Sequence, residues 1–127
     1  ESYTTHQKTM YFLLIGIGAF LGAISRYFIS SSLSKILLFG FPVGTFFVNL
    51  IGCYLIGVLV AFNLNHKGYM SPFLVIGFLG SFTTFSAFTK EILIFSNSNG
   101  LLSSYILALV ISSVCVSSTV IGFKMFS

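Results

Sequence analysis

The sequence predicts an all-α membrane protein with four membrane-spanning helices, built as a single domain over residues 1–127. Hydrophobic residues make up 56% of the chain and charged residues only 6%, and the mean hydropathy is +1.03. This composition excludes an ordinary water-soluble globular domain. Four apolar segments each have about the 20 residues that a helix needs to cross the hydrocarbon core of a bilayer. Turn-forming residues separate these segments.

The first span is predicted at Met10–Ser31 and carries two small residues one helical turn apart, Gly18 and Gly22. Such a pair allows another helix to approach closely. Arg26 follows toward the end of the span, beside Tyr27. Arginine at this place either extends its charge to the membrane interface, with tyrosine in the aromatic belt, or raises the electrostatic potential at the mouth of an anion path.

The second span, predicted at Gly44–Asn63, places Asn49 at membrane depth. An isolated amide in hydrocarbon needs a hydrogen-bond partner, so Asn49 either joins two helices or offers its donors to a polar pathway. Thr45 and Cys53 lie one turn before and one turn after it on the same face of the helix. This face is therefore modestly polar.

The third span, predicted at Pro72–Phe95, has glycines, hydroxyl residues and phenylalanines interleaved over residues 77–88. Irregular backbone at membrane depth is tolerated only where it is buried in protein or lines a cavity. We therefore predict that this helix is broken near its middle and that the segment handles a polar species. Phe82, Phe85 and Phe88 would share one face of a continuous helix, and the positive edges of such rings can hold an anion.

The fourth span is predicted at Leu101–Lys124. It contains Cys115, which, like Cys53, is expected to be a buried structural thiol, because the sequence shows no metal-binding spacing around either residue. Glu1 and Glu91 are the only carboxylates and neither histidine falls within a span. An enzyme is not expected, because no general base accompanies any potential nucleophile.

Lysines are distributed over both sides of the membrane with a weak bias. Lys8, Lys67 and Lys124 fall on one side, and Lys35, with Lys90 at the end of the third span, on the other. A chain with so little asymmetry would be able to insert in both orientations, which would permit an antiparallel homodimer. The net charge of +4 reflects these flanking residues, and without a basic run it gives no indication of nucleic-acid binding.

Three segments of the chain resemble the Fluc or CrcB family of small bacterial fluoride channels: Gly18–Tyr27, Gly44-Thr45-x-x-Val48-Asn49, and Gly80–Phe88 with Glu91. The resemblance covers the whole chain in matching segment order. It implies an antiparallel, dual-topology homodimer in the bacterial cytoplasmic (inner) membrane, with two fluoride pores and a structural sodium ion at the dimer centre. The implied function is the passive export of cytoplasmic fluoride.

The resemblance also implies roles for individual residues. Asn49, Phe85 and Phe88 match the pore asparagine and the two pore phenylalanines whose ring edges face fluoride, while Gly80 and Thr83 match the break whose backbone carbonyls hold sodium. Hydroxyl-bearing residues match the polar side of the pore or, in the fourth span, are candidates for it: Ser86, Thr89, Tyr105, Ser112 and Ser113.

Two alternative functions stay open at this point. A small dual-topology multidrug or cation exporter would resemble other proton-coupled carriers in having a glutamate within its first span, and this chain has no acidic residue there. A non-conducting membrane assembly subunit would explain the glycine-rich helices but not the cluster of Asn, Ser, Thr and Phe. Fluoride needs donors that replace its water, which this cluster supplies.

Overall fold

The computed structural model of the chain describes residues 3–66 and 68–127. Glu1 and Lys67, which contribute to the carboxylate and lysine patterns above, lie outside the described residues. Four helical segments are long and apolar enough to cross a membrane: Thr5–Leu33, Gly44–Ala61, Ser71–Asn99 and Leu101–Phe126. The prediction of an all-helical membrane protein with four spans is confirmed.

Helix α1 (Thr5–Leu33) begins before Met10, where hydropathy alone predicted it to start. The reason is a capping box formed by Thr4 and Gln7. The Thr4 hydroxyl accepts a hydrogen bond from the Gln7 N–H at 3.2 Å, and the Gln7 side chain accepts one from the Thr4 N–H at 2.9 Å. These bonds satisfy amides that the start of a helix otherwise leaves unpaired, so polar residues extend the helix outward.

A short hairpin follows α1 and adds a feature that the all-α prediction did not contain. Strand β1 (Leu37–Leu38) pairs antiparallel with strand β2 (Phe41–Pro42). Phe39 and Gly40 form the turn with φ angles of 55° and 82°. A two-residue turn with positive φ at both positions matches the right-handed twist of the flanking strands. This explains how the two strands can pair in so short a connection between spans.

The third span consists of three consecutive pieces. They are a π-helical segment over Ser71–Leu79, a short helix α3 (Gly80–Phe82) and a longer helix α4 (Phe85–Asn99). Pro72 lies in the first turn of the π-helical segment, where its missing N–H is not needed for the helical ladder. The backbone between α3 and α4 forms the centre of the candidate site.

Helix α4 continues beyond Phe95, where the third span was predicted to end. The Asn99 side chain donates to the carbonyl of Phe95 at 3.2 Å, and the N–H of Gly100 donates to that of Ser96 at 2.9 Å. The polar residues 96–99, predicted as a turn, are therefore the last turn of the helix. Gly100 alone, with φ at 85°, redirects the chain into α5 (Leu101–Phe126).

Glycines bring several of the helices into close backbone contact. The close approach expected at Gly18 and Gly22 is present, because a side chain at either position would collide with the backbone at Phe73 or Phe78 of the π-helical segment. Helix α2 (Gly44–Ala61) packs in the same way along α5, where Gly57 meets the carbonyl of Thr119. Small residues allow such approach between membrane helices.

Candidate functional site

The helical backbone of the third span stops at Phe82 and resumes at Phe85. Between them Thr83 has φ −81° and ψ 150°, and Thr84 has φ −147° and ψ 119°, so both residues are extended. Thr84 also caps α4, because its hydroxyl accepts a hydrogen bond from the N–H of Ala87 at 3.2 Å. The N–H of Thr83 still donates to the carbonyl of Leu79 at 3.0 Å, so the helical hydrogen-bond ladder is interrupted directly after Thr83, in the interior of the span.

This arrangement redirects two amides that a continuous helix would use. The N–H of Thr84 donates to the side chain of Asn49 at 2.8 Å, although a helix would direct it to the carbonyl of Gly80. The N–H of Ala87 donates to the Thr84 hydroxyl, although a helix would direct it to the carbonyl of Thr83. The carbonyl oxygens of Gly80 and Thr83 are therefore released from their helical donors.

Asn49 on α2 holds the extended backbone from the opposite side. Its Nδ2 donates to the carbonyl of Thr84 at 3.0 Å, while its Oδ1 accepts the bond from the N–H of the same residue. A side-chain amide carries two donor hydrogens, so one hydrogen on Nδ2 is left for another acceptor. Asn49 thus joins two helices, as one of the two sequence interpretations held, and it also retains a donor for a polar pathway.

Arg26 contacts the same irregular segment from α1. Its Nε donates to the carbonyl of Ser81 at 3.1 Å. The residue is half-buried and does not belong to the cavity linings described below. Its partner is a backbone carbonyl of the third span, a contact that neither sequence interpretation of Arg26 included.

An open cavity of about 250 Å³ lies beside the extended residues, between α2, α4 and α5. Its wall combines an amide, hydroxyls, thiols and aromatic rings: Asn49, Cys53, Thr83, Thr84, Phe85, Phe88, Ile111, Ser112 and Cys115. A second cavity of about 400 Å³ continues along α4 and α5 and shares Phe85, Phe88 and Ser112 with the first. We refer to these two neighbouring cavities together as the central groove.

Phe85 and Phe88 form the aromatic part of the central groove. Their ring centroids are 5.8 Å apart with an interplanar angle of 50°. Phe88 is only 6% exposed, whereas Phe85 is 74% exposed. The prediction that Phe82 shares their face is wrong. Phe82 is buried and stacks on Phe78. The extended residues between Phe82 and Phe85 remove the helical register that would place all three rings on one face.

Three of the predicted hydroxyl residues lie along the central groove. Ser112 borders both cavities, and Thr89 and Tyr105 border the second. The Tyr105 side chain is 68% exposed. A line of hydroxyls therefore leads away from Asn49 along α4 and α5.

The structure does not bring Ser86 and Ser113 into this line. Ser86 is exposed, with its hydroxyl 3.3 Å from that of Thr84. Ser113 borders a separate cavity that also includes Leu50 and Ser117. Ser112 and Ser113 are adjacent on an α-helix and point about 100° apart, so only one of them can face the groove.

A half-buried polar pair joins α2 and α4. The Thr45 hydroxyl donates to Oε1 of Glu91 at 2.7 Å. The second carboxyl oxygen of Glu91 is buried, and no donor among residues 3–66 and 68–127 reaches it. The partner of Glu91 is therefore Thr45, whereas Arg26 donates to the carbonyl of Ser81.

Thr84 and the two cysteines belong to the site but were not assigned to it from the sequence. The role of Thr84 as the cap of α4 is recognisable in the sequence, since a threonine before a helix commonly caps it. The sequence only partly indicates that Cys53 and Cys115 belong to the wall of the cavity. Cys53 lies one turn after Asn49 on the same face, but nothing in the sequence relates this position on α2 to Cys115 on α5.

A family model matches residues 13–123 of the chain and carries the description "CrcB-like protein, Camphor Resistance (CrcB)". The match extends from within the first span to near the end of the fourth and includes the second and third spans completely.

Individual proteins resemble the chain as well. A protein of Campylobacter lari named "Fluoride-specific ion channel FluC" is 38% identical over 117 residues, which are 90% of this chain and 95% of that protein. A protein of the same name from Cereibacter sphaeroides is 49% identical over 82 residues, 62% of this chain and 64% of its own length. One from Ruminiclostridium cellulolyticum is 42% identical over 80 residues, 61% and 62% of the two chains.

Proposed function

Because the chain belongs to the CrcB family, we propose that it is a fluoride-specific ion channel, not an enzyme, through which cytoplasmic fluoride leaves passively. The observation that carries the proposal is the central groove, in which the amide of Asn49 and the rings of Phe85 and Phe88 border one cavity. Four spans that can cross a membrane make the chain a multi-pass membrane protein.

The groove has the chemistry that a fluoride pathway requires. Fluoride is small and strongly hydrated, so a pore must replace its water with donors. Asn49 retains one amide hydrogen, Ser112 and Tyr105 contribute hydroxyl donors, and an aromatic ring carries a positive edge. The Thr89 hydroxyl also borders the groove, but it donates to the carbonyl of Ser86 at 3.0 Å. Neutral and weakly polar groups hold the anion without trapping it, which conduction requires.

The polar track proposed here follows the groove. It runs from Asn49 past Phe85 and Phe88 to the hydroxyls of Ser112, Thr89 and Tyr105. The track leaves out three residues that the sequence analysis considered for the pathway, namely Arg26, Ser86 and Ser113. None of them lines the central groove in the single chain.

We place the channel in an antiparallel, dual-topology homodimer. The weak lysine asymmetry favours insertion in both orientations. The high exposure of Phe85 and Tyr105 gives a second reason, since these residues border a groove that one chain leaves open and a second chain would cover. Each chain would then contribute one groove, and the other chain would cover it, so that the dimer has two complete pores.

A structural sodium ion at the centre of this dimer fits the third span. Gly80 and Thr83 have carbonyl oxygens released from their helical donors, and an unsatisfied carbonyl in hydrocarbon costs several kcal/mol. These two oxygens from each subunit would hold the ion, whose charge the carbonyl dipoles neutralise in part. Oxygen ligands suit a hard cation, and the absence of a carboxylate in this set favours a monovalent one.

The need for such a channel follows from acid chemistry. Neutral HF crosses a bilayer, dissociates in the more alkaline cytoplasm and leaves fluoride trapped there. A passive channel in the bacterial cytoplasmic (inner) membrane lets the anion leave along its own gradient. No coupled ion and no energy-consuming step are required.

Complementation in cells tests this function against the two alternatives. In a bacterial strain without its own fluoride export, expression of the chain should restore growth at toxic fluoride concentrations and lower the fluoride retained in the cells. Resistance to quaternary ammonium compounds without fluoride resistance would instead indicate a cation exporter, and resistance to neither would indicate an assembly subunit. Asn97→Asp, on an exposed face near the end of α4, serves as a matched variant that should behave as wild type.

A further inference from the structure

The two cysteines, far apart in sequence, meet in the wall of the central groove. Cys53 projects from α2 and Cys115 from α5, and both border the cavity of about 250 Å³ that contains Asn49 and Phe88. Both thiols are free rather than joined in a disulfide. Both residues are half-buried, and their side chains border the same cavity. The structure therefore contains a pair of adjacent thiols at a cavity, not two isolated buried cysteines.

The backbone holds this pair in place. The Thr119 hydroxyl donates to the carbonyl of Cys53 at 2.9 Å and lies 3.4 Å from that of Cys115. One turn away along α2, the carbonyl of Leu50 accepts a hydrogen bond at 3.0 Å from the Ser118 hydroxyl. Helices α2 and α5 are thus bonded to each other at the level of both thiols. Such fixed spacing favours a ligand that binds both sulfurs over one that binds a single thiol.

We propose that Cys53 and Cys115 form a binding site for a soft divalent metal ion of the mercuric type, and that the bound ion blocks the groove. Thiolate sulfur is the soft ligand that such ions select. On binding, each thiol releases one proton to water and each sulfur forms one bond to the metal. Two thiolates and one divalent ion make a neutral product, which a cavity at membrane depth accommodates far better than a charged one.

Zinc fits this pair less well. A structural zinc site takes four ligands. Among residues 3–66 and 68–127 no cluster of three or more His, Cys, Asp and Glu side chains surrounds the two thiols or any other point. Two sulfurs without further strong ligands suit an ion that is satisfied by two-coordinate, linear binding.

The blocking step rests on the proposed function. A sulfur–metal–sulfur bridge ties α2 to α5 and places the ion in the cavity that Asn49 and Phe88 border. Fluoride passing along the groove would meet this bridge beside the amide. Removal of the ion by an excess of a dithiol should reopen the path.

Metal content tests the site independently of fluoride transport. Purified dimer is given Hg²⁺ equimolar with the chains, washed with excess 2-mercaptoethanol and passed over a gel-filtration column, and its mercury is measured by mass spectrometry. Wild type should retain one mercury per chain. Cys53→Ser and Cys115→Ser should each bind about 10²-fold more weakly and lose it in the wash, because the second thiol no longer binds intramolecularly.

Alanine at each position repeats the comparison with a second side chain, and gel-filtration elution shows that each variant is folded. The double variant contains no cysteine and sets the background. Retention of mercury by either single variant to the same extent as wild type overturns the two-sulfur site. So does failure of wild type to retain it.

Fluoride efflux from liposomes tests the block, with each variant compared with its own untreated rate. After the same wash, Hg²⁺ should reduce wild-type efflux to the leak of protein-free vesicles, dithiothreitol should restore it, and the single variants should be unaffected. Full efflux with one mercury bound per chain would disprove the block while the site stands. If untreated wild type passes no fluoride, the proposed function fails, and the mercury content still decides the site.

Discussion

Replacing Asn49 by aspartate alters one group at the centre of the proposed pore. Asn49 accepts a hydrogen bond from the N–H of Thr84 and donates one to its carbonyl. Aspartate keeps the acceptor but places a second oxygen against that carbonyl, so one bond becomes a repulsive contact. The loss of such a bond costs about 0.5–1.5 kcal/mol, and bonds between membrane helices average about 0.6 kcal/mol. The fold should therefore survive the change.

The effect on the ion is larger. Two unit charges of the same sign about 4 Å apart repel by about 4 kcal/mol at an effective dielectric constant of about 20. Each 1.4 kcal/mol corresponds to about a tenfold change in an equilibrium constant. Fluoride occupancy beside an ionised aspartate should therefore fall by about 10³-fold. We expect Asn49→Asp to abolish measurable fluoride efflux while the protein still elutes as a folded assembly.

The assay is fluoride efflux from liposomes followed with a fluoride electrode, together with gel filtration and thermal unfolding. Asn97→Asp adds the same charge on an exposed face of α4 and should leave efflux unchanged. Asn49→Leu removes both hydrogen bonds to Thr84 without adding charge, so it distinguishes the loss of these bonds from the effect of the charge. A folded Asn49→Asp protein that passes fluoride at the wild-type rate would refute the placement of the ion beside this amide.

Four further predictions follow from the same structure. Phe85→Ile and Phe88→Ile should each impair fluoride efflux, because isoleucine lacks the positive ring edge. In thermal unfolding, the change at the exposed Phe85 should cost little stability, and the change at the buried Phe88 should lower the free energy of unfolding by about 1 kcal/mol. Gly22→Ala should destabilise the fold, since its methyl group meets the backbone of Phe78, whereas Gly16→Ala, with open space around it, should be neutral in the same unfolding assay. Topology reporters fused to the carboxy terminus should find both orientations in the membrane, and a single orientation across several reporters rules out the antiparallel dimer. Replacing sodium by a bulky organic cation should lower dimer stability measured by gel filtration, and an unchanged dimer would contradict the central sodium ion.

The sequence was sufficient for the features that depend on one helix at a time. Four spans followed from hydropathy, and the close approach at Gly18 and Gly22 followed from their spacing. The first span was predicted to begin too late, because hydropathy does not register the capping box of Thr4 and Gln7. Its pattern was present in the sequence, so this boundary was predictable from local chemistry.

Features that join two helices were not predictable to the same degree. Phe82 was grouped with Phe85 and Phe88 on the assumption of an unbroken helix, and two extended residues between them were enough to change its neighbours. The polar residues 96–99 read as a turn because asparagine and serine favour turns, but side-chain bonds back to the helix outweigh that preference here.

The pairing of Cys53 with Cys115 depends on how α2 and α5 align. Glycines at the contact, such as Gly57, and the hydroxyl of Thr119 set this alignment in three dimensions. A single sequence contains no information on which positions of two distant helices face each other. The same argument applies to Asn49, whose partner Thr84 lies on another span.

Fluoride efflux from liposomes that contain only the purified chain tests the central claim most directly. Vesicles loaded with potassium fluoride, or with potassium chloride as the control, are diluted into a solution without the anion, and valinomycin is added so that potassium balances the charge. We predict rapid release of fluoride and retention of chloride. Retention of both anions by a folded protein, or equal release of both, would contradict a fluoride-specific channel.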